Sequence, residues 1–135
     1  MSWRTSIVQR RLEIEIFPDS QRDVIVVSFQ GRLDSEEGTE YLKSKVWGLL
    51  PANIVLELKD LEYIDSRGVG ALVGVLNRTR EIGGNVKLAA VRNQLVRKIL
   101  EITKMPTIFQ IFDDAQQAVS SFEEASKQAS EGGVQ

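Results

Sequence analysis

One stretch decides the fold of this 135-residue chain: Asp60-Leu-Glu-Tyr-Ile-Asp65-Ser66-Arg67-Gly68-Val69-Gly70. It follows the continuously apolar run Ile54 to Leu58, which predicts a buried, central strand. It leads into a helix from about Arg67 to Ile82, whose buried stripe is expected at Val69, Leu72, Val73 and Leu76. In open α/β sheets, ligands and partners tend to bind at this end of the strands.

The residues before this stretch predict a hairpin and a helix. Leu12 to Phe17 alternates apolar and acidic residues, and Asp23 to Gln30 is rich in Val and Ile, so both are predicted strands. The short turn at Pro18 to Gln21 makes them antiparallel. Gly31-Arg-Leu-Asp34 closes the second strand. Asp34 or Ser35 can cap the next helix, which has a stripe at Leu42, Val46 and Leu49 and ends at Pro51-Ala-Asn53.

The residues after it predict two more strand–helix units. Gly83-Gly84 stops the helix, and the strand Val86 to Val91 and the helix Gln94 to Thr103 follow. After Pro106 come a strand at Ile108 to Phe112 and a last helix, capped by Asp113 or Asp114, with a stripe at Ala115, Ala118, Val119 and Phe122. The order β-β-α-β-α-β-α-β-α predicts one α/β domain. Its sheet is mixed, mostly parallel, with about five strands and about four helices.

Composition and charge exclude several classes of function. The net charge is −2 and the pI about 5.3, with scattered basic residues, so we expect neither a nucleic-acid nor a membrane partner. The absence of cysteine and histidine excludes thiol catalysis and a Ser-His-Asp triad, and it removes the usual metal ligands. No apolar run reaches the roughly 18 residues of a membrane span, and the N-terminus lacks a signal-peptide core. We therefore expect a cytoplasmic protein that is not an enzyme and needs no cofactor or metal.

The decisive stretch has several local interpretations. Ser66 can be a helix N-cap, and the exposed N–H groups of the helix start would favour an anion. Gly68, Gly70 and Gly74 would let the helix approach the sheet closely. A dinucleotide site is disfavoured because Arg92, rather than an acidic residue, follows the next strand. A phosphoryl-accepting receiver domain, with Asp60 or Asp65 as acceptor, is disfavoured because no further carboxylates are placed to hold magnesium.

Three segments resemble landmarks of one family. The residues Leu61 to Gly70 resemble the central motif of the bacterial anti-sigma factor antagonists, which belong to the STAS family. Gly31-Arg-Leu-Asp34 looks like the family's turn after its second strand. Ile82-Gly83-Gly84 with Val86-Lys-Leu matches the third landmark. The resemblance covers roughly Leu12 to Phe122 and implies the same α/β fold.

The resemblance also implies a mechanism. In such proteins the serine at the position of Ser66 is phosphorylated by a serine kinase that is also the anti-sigma factor. The unphosphorylated form binds this kinase and frees the sigma factor; phosphorylation ends binding, and a PP2C-type phosphatase resets the cycle. The implied partner-binding residues are Gly31, Asp34, Asp60, Asp65, Ser66, Arg67, Gly68 and Val69.

Some points remain open at the level of sequence. The best-known relatives carry a small hydroxyl residue where this chain has Arg67, which could pair with the phosphate, contact the kinase or be a solvated cation. Asp34 and Asp65 are either helix caps or direct contacts.

The predicted domain covers residues 12–126, between an extension at 1–11 and a flexible tail at 127–135. Trp3 in the extension could pack on the domain or on a second copy, which leaves a homodimer open. The alternative function is a STAS scaffold or adaptor without phosphorylation, in a signalling or lipid-transport complex.

Overall fold

The strands lie side by side in the order in which they occur in the chain. The computed structural model describes residues 11–19, 22–49 and 53–122. Five strands form one sheet in the order β1-β2-β3-β4-β5. β1 pairs with β2 antiparallel, and the remaining pairs are parallel. The predicted mixed sheet with an antiparallel edge is thus confirmed, with strands at Leu12–Pro18 (β1), Val24–Leu33 (β2), Asn53–Ile64 (β3), Val86–Ala89 (β4) and Ile111–Phe112 (β5).

Helices connect the parallel strands, because a parallel pair needs a long crossover connection. Within the described residues these are Glu36–Trp47 (α1), Ser66–Glu81 (α2), Gln94–Ile102 (α3) and a helix at 115–122 (α4). The last is capped by Asp114, whose Oδ1 accepts the Gln117 N–H at 2.8 Å. The predicted order of strands and helices is confirmed. None of the described helices is long and apolar enough to cross a bilayer.

The two faces of the sheet are covered unequally. Alternate residues of β3 point to opposite faces, so Ile54 and Leu56 join one cluster and Val55 the other. The larger cluster packs the sheet against α1, α2 and α3. The smaller one packs it against α4 through Ala118, Val119 and Phe122, as their spacing predicted.

Several predicted boundaries are wrong by a few residues. β3 continues from Leu58 to Ile64, and β2 passes through Gly31, whose φ of +106° accommodates an irregular register. β5 begins only at Ile111, because a 3₁₀ turn occupies Met105–Thr107. On α2, Val75 is fully buried while Val73 is only partly buried. The predictions for Trp3, the tail, the end of the turn at 20–21 and Pro51-Ala52 lie outside the described residues.

Candidate functional site at two strand–helix junctions

Two neighbouring strands end at the same level of the sheet, and each is followed by an Asp-Ser pair. Leu33 at the end of β2 pairs with Ile64 at the end of β3. Asp34-Ser35 then leads into α1, and Asp65-Ser66 leads into α2. We call these the β2–α1 junction, residues 31–38, and the β3–α2 junction, residues 64–69. They contain most of the residues that the sequence singled out.

At the β3–α2 junction the aspartate caps the helix. The Asp65 Oδ1 atom accepts hydrogen bonds from the N–H groups of Arg67, at 3.0 Å, and Gly68, at 3.2 Å. Ser66 is the first residue of α2 and is exposed. The interpretation of Ser66 as the N-cap is therefore wrong, because the strand ends one residue too early for it. The expectation of open N–H groups is also wrong at these two positions, since a carboxylate already occupies them.

The Ser66 hydroxyl is free to react or to bind. Its side chain has no hydrogen-bond partner among residues 11–19, 22–49 and 53–122. Ser66 is also exposed to solvent. This junction therefore presents an unused hydroxyl directly beside a carboxylate.

The Asp65 carboxylate is held in its charged form. Partial desolvation raises its pKa, but the hydrogen bond from the Gly68 N–H and the bonds and charge of Arg67 outweigh that effect. The pKa of Asp65 therefore lies below its ordinary value of 3.8. At neutral pH the neighbour of Ser66 is a fixed negative charge.

At the β2–α1 junction the roles of the two residues are exchanged. Ser35 caps α1 by accepting the Gly38 N–H at 2.9 Å. Asp34 does not cap, so that interpretation of it is wrong. Its side chain is only 8% exposed, and its Oδ2 atom accepts hydrogen bonds from Arg11 at 2.9 Å and Arg32 at 3.0 Å. Two cations compensate for the burial of this carboxylate.

Asp34 has one oxygen that is not compensated. Within the described part of the chain, its Oδ1 atom is buried and has no hydrogen-bond partner. The two arginines that hold the other oxygen remain 58% and 45% exposed, respectively. Arg32 also stacks on Tyr63, with its guanidinium 4.6 Å from the ring centre. Asp34 thus contributes to the surface mainly by fixing Arg11 and Arg32, not by its own exposure.

Arg67 joins the two junctions. Its Nη2 atom donates to the Asp34 carbonyl oxygen at 2.7 Å and to Asp65 Oδ2 at 3.1 Å. Its Nε atom donates to the same carboxylate oxygen at 3.3 Å. The side chain is 60% exposed, so it is both accessible and engaged. The interpretation of Arg67 as a purely solvated cation is wrong.

Only one of the three glycines in α2 permits a close approach. A Cβ atom on Gly68 would overlap the Leu33 carbonyl oxygen and lie 2.6 Å from Ile64 Cγ1. Gly70 and Gly74 have open space where a Cβ would be, so the prediction of close packing is wrong for them. Helix periodicity explains the difference, because these two residues lie on the outward side of α2.

The remaining predicted residues are placed unevenly. Asp60 is exposed, but it lies on β3 five residues before Asp65, about 16 Å of extended chain away. Gly31 is half-buried, and a Cβ there would overlap the Arg11 carbonyl oxygen. Val69 is 7% exposed and belongs to the core. The structure therefore brings together Asp34, Asp65, Ser66, Arg67 and Gly68, while Asp60 lies apart from them.

Sequence reasoning missed Arg11 and Arg32. Arg11 precedes the motifs that carried the argument, and Arg32 lies within Gly31-Arg-Leu-Asp34 but was given no role there. Isolated arginines are usually solvated. The available signal was Asp34 itself, because a carboxylate at the end of a buried strand requires a compensating cation. Arg32, two residues earlier, was the nearest candidate. The predicted hairpin was the signal for Arg11, because antiparallel pairing returns the start of β1 to the end of β2. In the structure Leu12 pairs with Gly31, which places Arg11 beside the β2–α1 junction.

The described residues of the junctions form neither a metal site nor a dinucleotide site. Among the described residues there is no group of three or more Asp, Glu, His or Cys side chains that could hold a metal ion. The glycines of α2 lie within the helix, away from the strand–helix turn that a dinucleotide site uses. The class that this fold and site define is a small α/β domain with an exposed serine at a strand–helix junction.

Comparison with known proteins specifies this class further. Residues 18–118 match the STAS domain, so the chain belongs to the STAS domain family. A relative from Paenibacillus polymyxa, an anti-sigma F factor antagonist, is 26% identical over 115 residues, which cover 83% of this chain and 97% of the relative. The predicted family resemblance is thereby confirmed.

Two solved structures share the fold. SpoIIAA, an anti-sigma factor antagonist, in its unphosphorylated form has a TM-score of 0.68 and 19% identity, covering 83% of this chain and 97% of that chain. The Bacillus cell fate determinant SpoIIAA in the phosphorylated form has a TM-score of 0.61 and 18% identity, covering 82% and 99%, respectively. The same backbone arrangement is therefore known in a protein that exists in both states.

Proposed function

We propose that this chain is an anti-sigma factor antagonist whose binding is controlled by phosphorylation of Ser66. The observation that carries the proposal is the free, exposed hydroxyl of Ser66 at the first position of α2. It lies in a STAS domain, and relatives of the chain carry the name anti-sigma factor antagonist. In this role the chain acts in the cytoplasm by binding, not by catalysis.

The partner is a serine kinase that is itself the anti-sigma factor. In the phosphorylation step, a bond forms between the Ser66 Oγ and the γ-phosphorus of ATP. The bond from that phosphorus to the β–γ bridging oxygen breaks, a base of the kinase takes the hydroxyl proton, and ADP leaves. A PP2C-type phosphatase restores the hydroxyl by hydrolysis of the phosphate ester.

The docking surface consists of both junctions. Ser66 and Arg67 are its exposed centre, and Asp65 is 24% exposed beside them. Arg11 and Arg32 extend the surface on the β2–α1 side. Gly31, Asp34, Gly68 and Val69 shape it from beneath, and Asp60 can contribute only at its edge.

Phosphorylation ends binding by electrostatics and desolvation. A phosphoserine carries about −1.5 to −2 charges at neutral pH, and here it adjoins the ionised Asp65. At a packed interface this charge must lose water, which costs free energy. A cost of about 3 kcal/mol lowers affinity more than a hundredfold, and no refolding of the domain is needed.

The test uses recombinant anti-sigma-type serine kinases from the source genome. Incubation with ATP should add the mass of one phosphate to the wild-type chain and none to Ser66→Ala. The matched control is Ser44→Ala, which removes an exposed serine of α1 outside both junctions and should leave phosphate incorporation intact. Calorimetric titration should show kinase affinity falling at least a hundredfold on phosphorylation.

Two results would contradict the proposal. One is that no kinase phosphorylates Ser66. The other is that the Ser66→Asp variant and the phosphorylated chain both bind the kinase as tightly as the unmodified chain. If the chain binds stably in a large assembly, and replacement of Ser66 does not change this binding, the scaffold or adaptor function is favoured instead.

A further inference from the structure

The β3–α2 junction is poorly prepared for a phosphate at Ser66. The N–H groups of Arg67 and Gly68, which could have received an anion, already bind Asp65 Oδ1. The carboxylate itself adjoins the reacting serine and is ionised. A phosphoserine here therefore needs a cation, because two neighbouring negative charges repel each other.

Among the described residues of the two junctions, Arg67 is the cation that can respond. Arg11 and Arg32 are held by the buried carboxylate of Asp34, which would be left unpaired if they moved. Arg67 instead binds an accessible carboxylate and one carbonyl oxygen, and its side chain is 60% exposed. Its guanidinium lies within hydrogen-bond distance of Asp65, the residue directly before Ser66.

The geometry of Arg67 connects this response to the neighbouring junction. Adjacent helix residues do not face each other, but the Arg67 side chain folds back over the start of α2 to reach Asp65 and the Asp34 carbonyl. A single nitrogen, Nη2, serves both acceptors. A phosphate with two charges and three oxygens attracts a guanidinium more strongly than a carboxylate does. If Arg67 moves to the phosphate, it cannot keep both existing bonds.

We propose that Arg67 is a positioning residue that transmits phosphorylation of Ser66 to the β2–α1 junction. The phosphate takes the guanidinium from Asp65, and the Asp34 carbonyl loses its donor. The β2–α1 junction is thereby loosened, so phosphorylation alters both halves of the docking surface. This inference rests on the proposed function for its biological setting, since it concerns the same serine.

The first test needs no kinase. Phosphoserine is inserted at position 66 by genetic-code expansion, and its second ionisation is followed by ³¹P NMR. The ionised Asp65 raises the pKa of the phosphate and Arg67 lowers it, relative to the value of about 6 that is typical of phosphoserine. The pKa should rise by about half a unit in Arg67→Gln, a modest shift because the site is exposed. Arg67→Lys keeps the charge and should restore part of the difference.

The matched control is Arg78→Gln. This residue lies near the other end of α2, is exposed, and carries the same charge. Its replacement should leave the phosphate pKa unchanged. Equal pKa values in wild type, Arg67→Gln and Arg78→Gln would overturn the proposal.

The second test measures whether the hydrogen bond from Arg67 to the Asp34 carbonyl oxygen stabilises the β2–α1 junction. Amide hydrogen exchange at Gly38 and Thr39 should become faster in the wild-type chain when Ser66 is replaced by phosphoserine. In Arg67→Gln, exchange should already be fast, and phosphoserine should add nothing. An equal acceleration by phosphoserine with and without Arg67 would show that the signal does not pass through this residue.

The two proposals fail separately. If no kinase modifies Ser66 but the inserted phosphoserine binds Arg67, the proposed function is wrong and the coupling is correct. If the kinase modifies Ser66 and binding is switched, but Arg67→Gln changes neither the phosphate pKa nor the exchange rates, only the coupling is wrong.

Discussion

The two junctions carry the same pair of residues and use them in opposite ways. At the β2–α1 junction the serine caps the helix and the aspartate is buried between two arginines. At the β3–α2 junction the aspartate caps the helix and the serine is left free. A difference of one residue causes this exchange: Leu33 and Ile64 lie level in the sheet, but α2 begins one residue sooner after its strand than α1 does.

This comparison explains why only one of the serines is a candidate for modification. The Ser35 hydroxyl accepts a hydrogen bond that the first turn of α1 needs, and the residue is half-buried. The Ser66 hydroxyl accepts no such hydrogen bond in the described structure. A capping aspartate therefore leaves its neighbouring serine free, and it places a negative charge beside the phosphate that we propose for Ser66.

The largest expected effect comes from substituting the third residue of each helix, which is glycine in both α1 and α2. A Cβ on Gly68 would overlap the Leu33 carbonyl, whereas a Cβ on Gly38 would lie 3.2 Å from the Ser35 Oγ. Gly68→Ala should lower the free energy of unfolding by about 3 kcal/mol or more, because backbone must move. Gly38→Ala should change it by less than about 1 kcal/mol. Urea unfolding followed by circular dichroism measures both. Similar losses in the two variants would mean that the junctions are equally tight.

The next effect distinguishes the two serines. Ser35→Ala should lower the free energy of unfolding by about 1 kcal/mol, because the Gly38 N–H loses its acceptor. Ser66→Ala should stay within about 0.5 kcal/mol of wild type, since no described contact is lost. Thermal and urea unfolding at the same pH provide the comparison. A large loss in Ser66→Ala would show that its hydroxyl has a structural role after all.

The smallest effect concerns the pH dependence of the free energy of unfolding at acidic pH. The pKa of Asp65 in the folded chain lies below 3.8, so its charge stabilises the fold above that pH. The contribution is lost as the pH falls through the folded-state pKa. Asp65→Asn still caps the helix but cannot titrate. Its deficit relative to wild type should therefore be constant near neutral pH and shrink below 3.8, in a series of urea midpoints. A deficit independent of pH would mean that the charge of Asp65 contributes nothing to stability.

Much of this architecture could be predicted because it rests on periodicity. The apolar runs and stripes predicted every described strand and helix in the right order, and they placed Ser66 where a central strand meets a helix. The boundaries were less accessible. β2 continues through Gly31, which has a positive φ. A 3₁₀ turn before β5 delays the start of that strand to Ile111. Such features depend on partners across the sheet, not on the local pattern.

It could not be predicted which residue of each Asp-Ser pair caps the following helix. Aspartate and serine are comparable N-caps, so the choice depends on where the strand ends relative to the helix. The bridge made by Arg67 depends on the closeness of two junctions that are 33 positions apart in sequence. For the same reason, a cation that looked solvated proved to be engaged.

The side-by-side order of the strands also bears on how the protein is made. Each new strand can be added to an edge that the emerging chain has already formed, without inserting between earlier strands. The side-chain hydrogen bonds of both junctions are made by residues between Arg11 and Gly68. The two junctions can therefore take shape on the ribosome before the last two strands have been synthesised.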